Sequence, residues 1–428
     1  MDELRNSPKA DGKEKIYTHG EKEVLAIEKI KEQGIAVDVK TVYEMKQMSD
    51  YLGMDFEKYF GKIELDKEYH NFLLKYHYHS NICKGVQIME KKNLDWENIG
   101  FAYHQTDMRY VANYKNGAWD EGGLTADANV VINECAGILQ YCQEVFEGLK
   151  VYETKDGSIV AFRPDQNAER MMNSAKGMEM PPFPKERFLD ALDQVVKANA
   201  AWVPPYGSGA SLYIRPYMFA STPVIGVKPA EGYQFRILCT PVGPYFKGGV
   251  RSLHICVSDY DRAAPHGTGH IKAGLNYAMS LHAYVDAHKN GYDENMFLDP
   301  ATRTYVEETG GANFFFVTED GELVIPKSDS ILPSITRRSV ITVAGMLGIK
   351  VTERPVKLEE IGNFVESGLC GTAAVISPVG KITDHGKEIV FRDSEHTMGP
   401  VTKQLYDTLT GMQHCEIEAP EGWIHKIM

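Results

Sequence analysis

No apolar run in this 428-residue chain approaches the roughly 20 residues that a membrane-spanning helix needs, so a helical anchor is not expected. Residues 1–23 are polar and lack the apolar segment of a signal peptide, so secretion is not expected either. Cysteine is sparse. The seven, Cys83, Cys135, Cys142, Cys239, Cys256, Cys370 and Cys415, are odd in number and irregular in spacing, and none forms a C-x-x-C pair. That disfavours a disulfide frame or a cysteine-based zinc site and fits reduced thiols in the cytoplasm. Basic charge is in deficit: 46 Lys and Arg against 59 Asp and Glu give a net charge of −13. Without a basic field to draw phosphates, nucleic acid is not expected as a general partner. There is no Walker-type or G-x-G-x-x-G loop, no internal repeat and no low-complexity segment.

What is present is ordinary globular composition, 43% hydrophobic and 25% charged, over a length that allows about two or three domains. Residues 1–20 are polar. Between residues 24 and 92 apolar residues recur at helical spacing (Val24, Ile27, Ile30; Met45, Met48, Leu52; Tyr69, Phe72, Leu73, Tyr76), which predicts a helical extension over 1–95. From Trp96 the pattern mixes strands (129–132, 151–152, 159–162, 211–216, 235–239) with helices (167–174, 185–199). Strands at 314–318 and 323–325 flank the turn Glu319-Asp320-Gly321, and 336–347 reads as a helix. The expectation is an α+β protein with a small α/β domain over 96–247, a linker over 248–253 starting at the hinge Gly248-Gly249, and a larger domain over 254–428.

The chemistry centres on Lys272, in Thr268-Gly269-His270-Ile271-Lys272-Ala273-Gly274-Leu275-Asn276-Tyr277. A lysine among small residues suits an amine that must meet a carbonyl, although most lysines are solvated surface charges. Downstream lie Glu308, before Thr309-Gly310-Gly311, and the helix start Pro333-Ser334-Ile335-Thr336. Together they match the needs of pyridoxal phosphate: an amine, a carboxylate for the pyridine nitrogen and a phosphate cradle. Glu307 competes with Glu308 for the carboxylate role, and Tyr277 alone reads as a core aromatic. Arg163, in Phe162-Arg163-Pro164, and Gly371-Thr372-Ala373-Ala374 are further candidate phosphate donors. Ser334 also serves as an ordinary N-cap. His70, His77 and His79 lack the carboxylate or cysteine that would complete a metal site, and no metal is expected. His266 and His270 share i,i+4 spacing, but Gly267 and Gly269 argue against a helix there. Cys370 has no histidine partner in view.

Beyond Trp96 the chain resembles the branched-chain amino-acid aminotransferases, pyridoxal phosphate enzymes of fold type IV. The resemblance rests on an ordered set: Phe146-Glu147-Gly148-Leu149-Lys150, Phe162-Arg163-Pro164, Ser211-Leu212-Tyr213-Ile214-Arg215-Pro216, Pro241-Val242-Gly243-Pro244-Tyr245-Phe246, the Lys272 segment and Gly371-Thr372-Ala373. It implies a cofactor carried by Lys272 in a Schiff base. Glu308 would face the pyridine nitrogen and Tyr277 the phenolic oxygen. Arg163, Ile335, Thr336 and Thr372 would hold the phosphate, with Arg262 nearby. The pocket would be walled by Tyr141, Phe146, Tyr213 and Tyr245, with Ala373 and Ala374 near the α-carboxylate; Arg215, with tyrosine hydroxyls, is the candidate donor for a γ-carboxylate. Val227, in the loop Ile225-Gly226-Val227, would reach a neighbouring subunit, implying a homodimer or higher assembly. The expected reaction exchanges amino groups between L-leucine, L-isoleucine or L-valine and 2-oxoglutarate, giving 2-oxo acids and L-glutamate.

Three departures stand out. Ala374 and Ser377 occupy the places of a redox-sensitive C-x-x-C found in some animal members, so no thiol switch is expected there. Gly311 replaces a residue that often bears a hydroxyl, and the segment before Trp96 has no counterpart. The same lysine, glutamate and cradle would also serve a D-amino-acid aminotransferase, an aminodeoxychorismate lyase or a non-catalytic pyridoxal phosphate protein. The pocket segments favour the branched-chain reading.

Overall fold

The computed structural model describes residues 91–243 and 250–428. The expected helical extension up to residue 90, the three histidines within it, Cys83, the Gly248-Gly249 hinge and Tyr245 lie outside the described residues. Among the described residues no helix is long and apolar enough to cross a membrane.

Two sheets organise the described chain. The first contains β1 (Arg109–Lys115), β2 (Ala118–Trp119), β3 (Gly123–Thr125), β4 (Glu144–Phe146), β5 (Leu149–Glu153), β6 (Ile159–Phe162), β7 (Ser211–Ala220) and β8 (Tyr233–Val242). The second contains β9 (Leu253–Val257), β10 (Glu294–Met296), β11 (Asn313–Val317), β12 (Leu323–Pro326), β13 (Val351–Arg354), β14 (Glu366–Gly371), β15 (Val375–Asp384) and β16 (Lys387–Val390). The last strand, β17 (Ile424–Lys426), returns to the first sheet and pairs antiparallel with β6.

The first sheet is antiparallel, in the order β17-β6-β5-β7-β8-β1-β2, with β3 on β1 and β4 on β7. In its long pair, β7 shows period-two burial while β8 is buried almost throughout. Leu212, Ile214 and Met218 join Phe235, Ile237 and Cys239 in a core with α2 (Pro164–Gly177) and α3 (Lys185–Ala198), which follow the five-residue helix α1 (Gly137–Tyr141). The alternation sends Tyr213, Arg215 and Tyr217 to the opposite face, where they remain half-buried. A polar, aromatic surface arises here simply from the strand's register.

Residues 129–132, expected as a strand, form no strand. Asp127 accepts from both the backbone and the side-chain N–H of Asn129, a local turn that competes with pairing, and Val131 is 94% exposed. Conversely α4 (Gly274–Lys289), directly after Lys272, was not legible as a helix. Its buried positions are Asn276, Ser280, Ala283 and Ala287, while Met279, Leu281, Tyr284 and Val285 are exposed, so its hydrophobic pattern is inverted.

The second sheet is mixed, in the order β10-β9-β15-β14-β11-β12-β13 with β16 on β15. The strand β11, Asn-Phe-Phe-Phe-Val, is buried on both faces. Phe315 packs towards α5 (Ile335–Met346) and α6 (Pro400–Gln413), whereas Phe314 and Phe316 pack on the other side with Phe364 and Phe391. Gly368 sits opposite Phe315 across β14, and a Cβ there would collide with the ring. This glycine is what lets the phenylalanine lie flat on the sheet beneath the helices.

Candidate active site

Lys272 lies just before α4, where Ala273 N donates to Ile271 O at 2.9 Å across it. Its N–H donates to Ser174 Oγ at 3.1 Å and its carbonyl accepts from Phe146 N at 3.0 Å. Asn276, one turn into α4, ties the loop down by donating to Thr268 O and Ile271 O, both at 2.8 Å. Gly274 is constrained because a Cβ would collide with the Glu144 carboxylate. With the backbone fixed, the Lys272 amine has a defined location. Nζ lies 2.7 Å from Tyr277 Oη and 4.6 Å from the centre of the Phe146 ring. Phe146 and Tyr277 meet edge to face at 4.9 Å. The rings leave the nitrogen between an oxygen and a π face.

Glu308 is 4% exposed and held at both oxygens. Oε1 accepts from Leu332 N at 2.9 Å and lies 2.7 Å from Arg262 Nη2, and Oε2 accepts from Asn313 Nδ2 at 3.0 Å. Glu307, its neighbour on the opposite side of the chain, instead accepts from Ser328 at 2.8 Å and from Ser330. Alternation thus separates the two glutamates: of the pair, Glu308 lines the cavity that also contains Lys272, Tyr277 and Arg262. Burial pushes the Glu308 carboxyl up to about 7, against the opposing pull of Arg262.

This shift has a measurable sign. A carboxyl raised on folding favours the protonated folded state, so the stability it contributes declines as pH rises from its ordinary 4.5 to about 7. The expected loss in cofactor-free protein is about 3 kcal/mol across that window. Denaturant melts at pH 5 and pH 8 should show Glu308→Gln flattening this slope. An unchanged slope would exclude Glu308 as its source.

The far end of the cavity meets the start of α5. Ser334 caps α5 by accepting from Arg337 N at 3.1 Å, and the first N–H groups of that helix, at Ile335 and Thr336, have no partners within the helix. Ile335, Thr336 and Thr372 line an adjoining cavity with Gly148 and Asn167. Thr372 Oγ1 donates to Gly148 O at 3.2 Å. Arg163 is not in the lining of either cavity. It has φ +50°, stacks 4.4 Å over Trp423 and donates to Ser339 Oγ at 2.8 Å. Arg170 does line the Lys272 cavity, although sequence reasoning did not single it out. Its Nε and Nη2 each lie 2.7 Å from an oxygen of Glu147, which is fully buried and also accepts from Asn167 Nδ2 at 2.8 Å. No local signal in the sequence marks Arg170: it lies about two helical turns beyond Arg163, the N-cap of α2, and the spacing does not tell the two apart.

On the substrate side, Phe146 borders Lys272, and Arg215 lies 4.8 Å over Phe146 and donates to Tyr213 Oη at 2.9 Å. Gly148 makes room for that tyrosine hydroxyl, since a Cβ would overlap it. Ala373 O accepts from Lys150 Nζ at 2.5 Å, and Ala374 follows in the same turn. Tyr141 is brought to the loop expected to reach a neighbouring subunit, its hydroxyl donating to Ile225 O. Val227 in that loop is 88% exposed, and neither Tyr141 nor Val227 lines the Lys272 cavity. At the positions where a C-x-x-C would fall stand Ala374 and the buried Ser377, and the nearby Cys370 thiol is pushed up to about 12 by burial.

Residues 144–382 match the family described as amino-transferase class IV. The chain is 52% identical over 342 residues to the branched-chain-amino-acid aminotransferase of Haemophilus influenzae, covering 78% of this chain and 99% of that protein. Among solved structures, the Escherichia coli branched-chain amino acid aminotransferase is 29% identical with a TM-score of 0.64, covering 76% of this chain and 100% of that one. The Thermobaculum terrenum enzyme in its PLP form is 26% identical with a TM-score of 0.63, covering 76% and 100%. Other similar branched-chain aminotransferases have been solved with pyridoxamine 5'-phosphate, with 4-methylvaleric acid and with N-(5'-phosphopyridoxyl)-L-glutamate. The α+β arrangement is therefore fold type IV. The chain belongs to the amino-transferase class IV family, in its branched-chain amino-acid aminotransferase branch.

Proposed function

We propose that this chain uses pyridoxal 5'-phosphate to exchange amino groups reversibly between L-leucine, L-isoleucine or L-valine and 2-oxoglutarate. The observation that carries this reading is one cavity in which the Lys272 amine, the buried Glu308 carboxylate and Arg170 converge beside the start of α5. The donor set fits the cofactor. Glu308 would face the pyridine nitrogen, Tyr277 the phenolic oxygen, and Arg170, the Ile335 and Thr336 N–H groups and Thr372 the phosphate. Arg262 has a buried Nε without a partner among the described residues and keeps Glu308 oriented. When bound, the cofactor supplies an electron sink for the charge left on the substrate carbon. Lys272 Nζ is placed to take the proton from substrate Cα, with Tyr277 Oη holding the amine in position.

Phe146 and Tyr213 offer apolar wall to a branched side chain. Arg215, on the same face, offers a fork for the γ-carboxylate of glutamate. Replacing Arg215 with methionine should lower kcat/KM for L-glutamate and 2-oxoglutarate by about 30- to 100-fold, the worth of a charge-assisted bond. The loss for L-leucine should stay within about fivefold. Equal losses for both substrates would remove Arg215 from this role. The direct test of function is absorbance titration of purified protein with L-leucine and then 2-oxoglutarate. A reversible change with L- but not D-leucine supports the proposal. Reaction with D-leucine points instead to a D-amino-acid aminotransferase, and no reaction with either points to a non-catalytic cofactor protein. A homodimer in the cytoplasm, with residues 225–227 facing the partner's site, completes the proposal.

A further inference from the structure

Two bonds tie β5 and the residue before it to the turn between β14 and β15. Gly148 O accepts from Thr372 Oγ1 at 3.2 Å, and Lys150 Nζ donates to Ala373 O at 2.5 Å. The turn they hold is strained: Val375, buried and β-branched, has φ +63°, a region that β-branched residues rarely adopt. Such a conformation persists only where neighbours impose it. Lys150 forms no ion pair among the described residues, so its amine is committed to a backbone carbonyl and not to a carboxylate. Burial pushes the pKa of that group down to about 8.

We propose that Lys150 is a positioning residue for the substrate carboxylate, acting by fixing the Ala373–Ala374 peptide plane. All peptide bonds described are trans, so with the Ala373 carbonyl turned to Lys150 the Ala374 N–H points the opposite way. A preset N–H binds a carboxylate without first having to be ordered. Lys150 thereby acts from the first sheet on a turn of the second, and does not line the Lys272 cavity. This rests on the functional reading above and on the place near the α-carboxylate that the family resemblance implies for Ala373 and Ala374.

The test uses the holoenzyme and its Lys150→Met, Lys150→Gln and Lys150→Arg variants. It measures the dissociation constant of 4-methylvaleric acid by calorimetry, and KM and kcat for L-leucine. Lys150→Met should weaken 4-methylvaleric acid and raise KM by about tenfold, leaving kcat within about threefold and the cofactor absorbance unchanged. Lys150→Arg, which keeps a cationic donor, should recover most of the loss. If Lys150→Met does not fold, Lys150→Gln carries the same expectation. A dissociation constant within about twofold of wild type, or a fall in kcat at constant KM, overturns the proposal. If the wild-type protein binds the acid but does not react with L-leucine, it is the functional reading that fails, and the binding comparison still reads the clamp.

Discussion

Lys272→Ala is expected to abolish amino-group exchange, a fall of at least about 10⁴-fold in kcat, while the protein stays folded. In the function proposed above the amine would serve both as the attachment point for a carbonyl cofactor and as the base at substrate Cα, and among the described residues no other lysine lines the cavity. The fold should be indifferent to the change. The Lys272 main chain is secured by Ser174 and Phe146, and the side chain adds only its bond to Tyr277 and its contact with the ring. Single-turnover measurements with L-leucine, with the melting temperature as a control, make the comparison. Partial rescue of the variant by added methylamine would separate loss of the base from loss of shape. Retention of even a hundredth of wild-type kcat would remove Lys272 from the centre of the reaction.

Arg170→Met should affect both cofactor retention and stability, whereas Arg163→Met should affect neither strongly. Removing the Arg170 guanidinium leaves Glu147 fully buried without its cation, which costs about 3–5 kcal/mol. It also removes the arginine fork beside α5, since Arg262, which lines the same cavity, is committed to Glu308; cofactor affinity should weaken by about 10²-fold. Arg163→Met loses a stacking contact on Trp423 and a bond to Ser339, worth about 1 kcal/mol. The double variant Glu147→Gln/Arg170→Met should recover part of the stability but none of the cofactor affinity. Denaturant melts and equilibrium dialysis of the cofactor measure the two effects separately. If Arg163→Met releases the cofactor and Arg170→Met does not, the phosphate fork proves to be Arg163.

That contrast marks how far the sequence could be read. Residues whose role is carried by local order were legible. The Lys272 segment, the Ser334 cap and the turn at 319–321 each announce themselves over a few positions, and α3 and α5 follow from helical periodicity. Residues defined by long-range geometry were not. Arg163 and Arg170 look alike in sequence, and only the packing of α2 against Glu147 shows which one turns to the cavity. Lys150 reads as a surface charge until β5 is laid beside the turn at Ala373. The helix α4 was hidden because its buried side is small and polar. The strand expected at 129–132 failed because side-chain bonds from Asp127 prevailed over β propensity.

The return of β17 to the first sheet bears on how the chain comes to be assembled. Ile427 N donates to Ile159 O at 2.9 Å and Ile159 N donates to Met428 O at 3.1 Å, so the edge of a sheet begun near residue 109 is sealed by residues 424–428. During synthesis β6 therefore waits, with an open edge, until residues 424–428 have emerged. The closing step joins segments more than two hundred residues apart, and such distant contacts are the slow ones in folding. Deletion of residues 424–428 would leave β6 exposed to pairing with other chains.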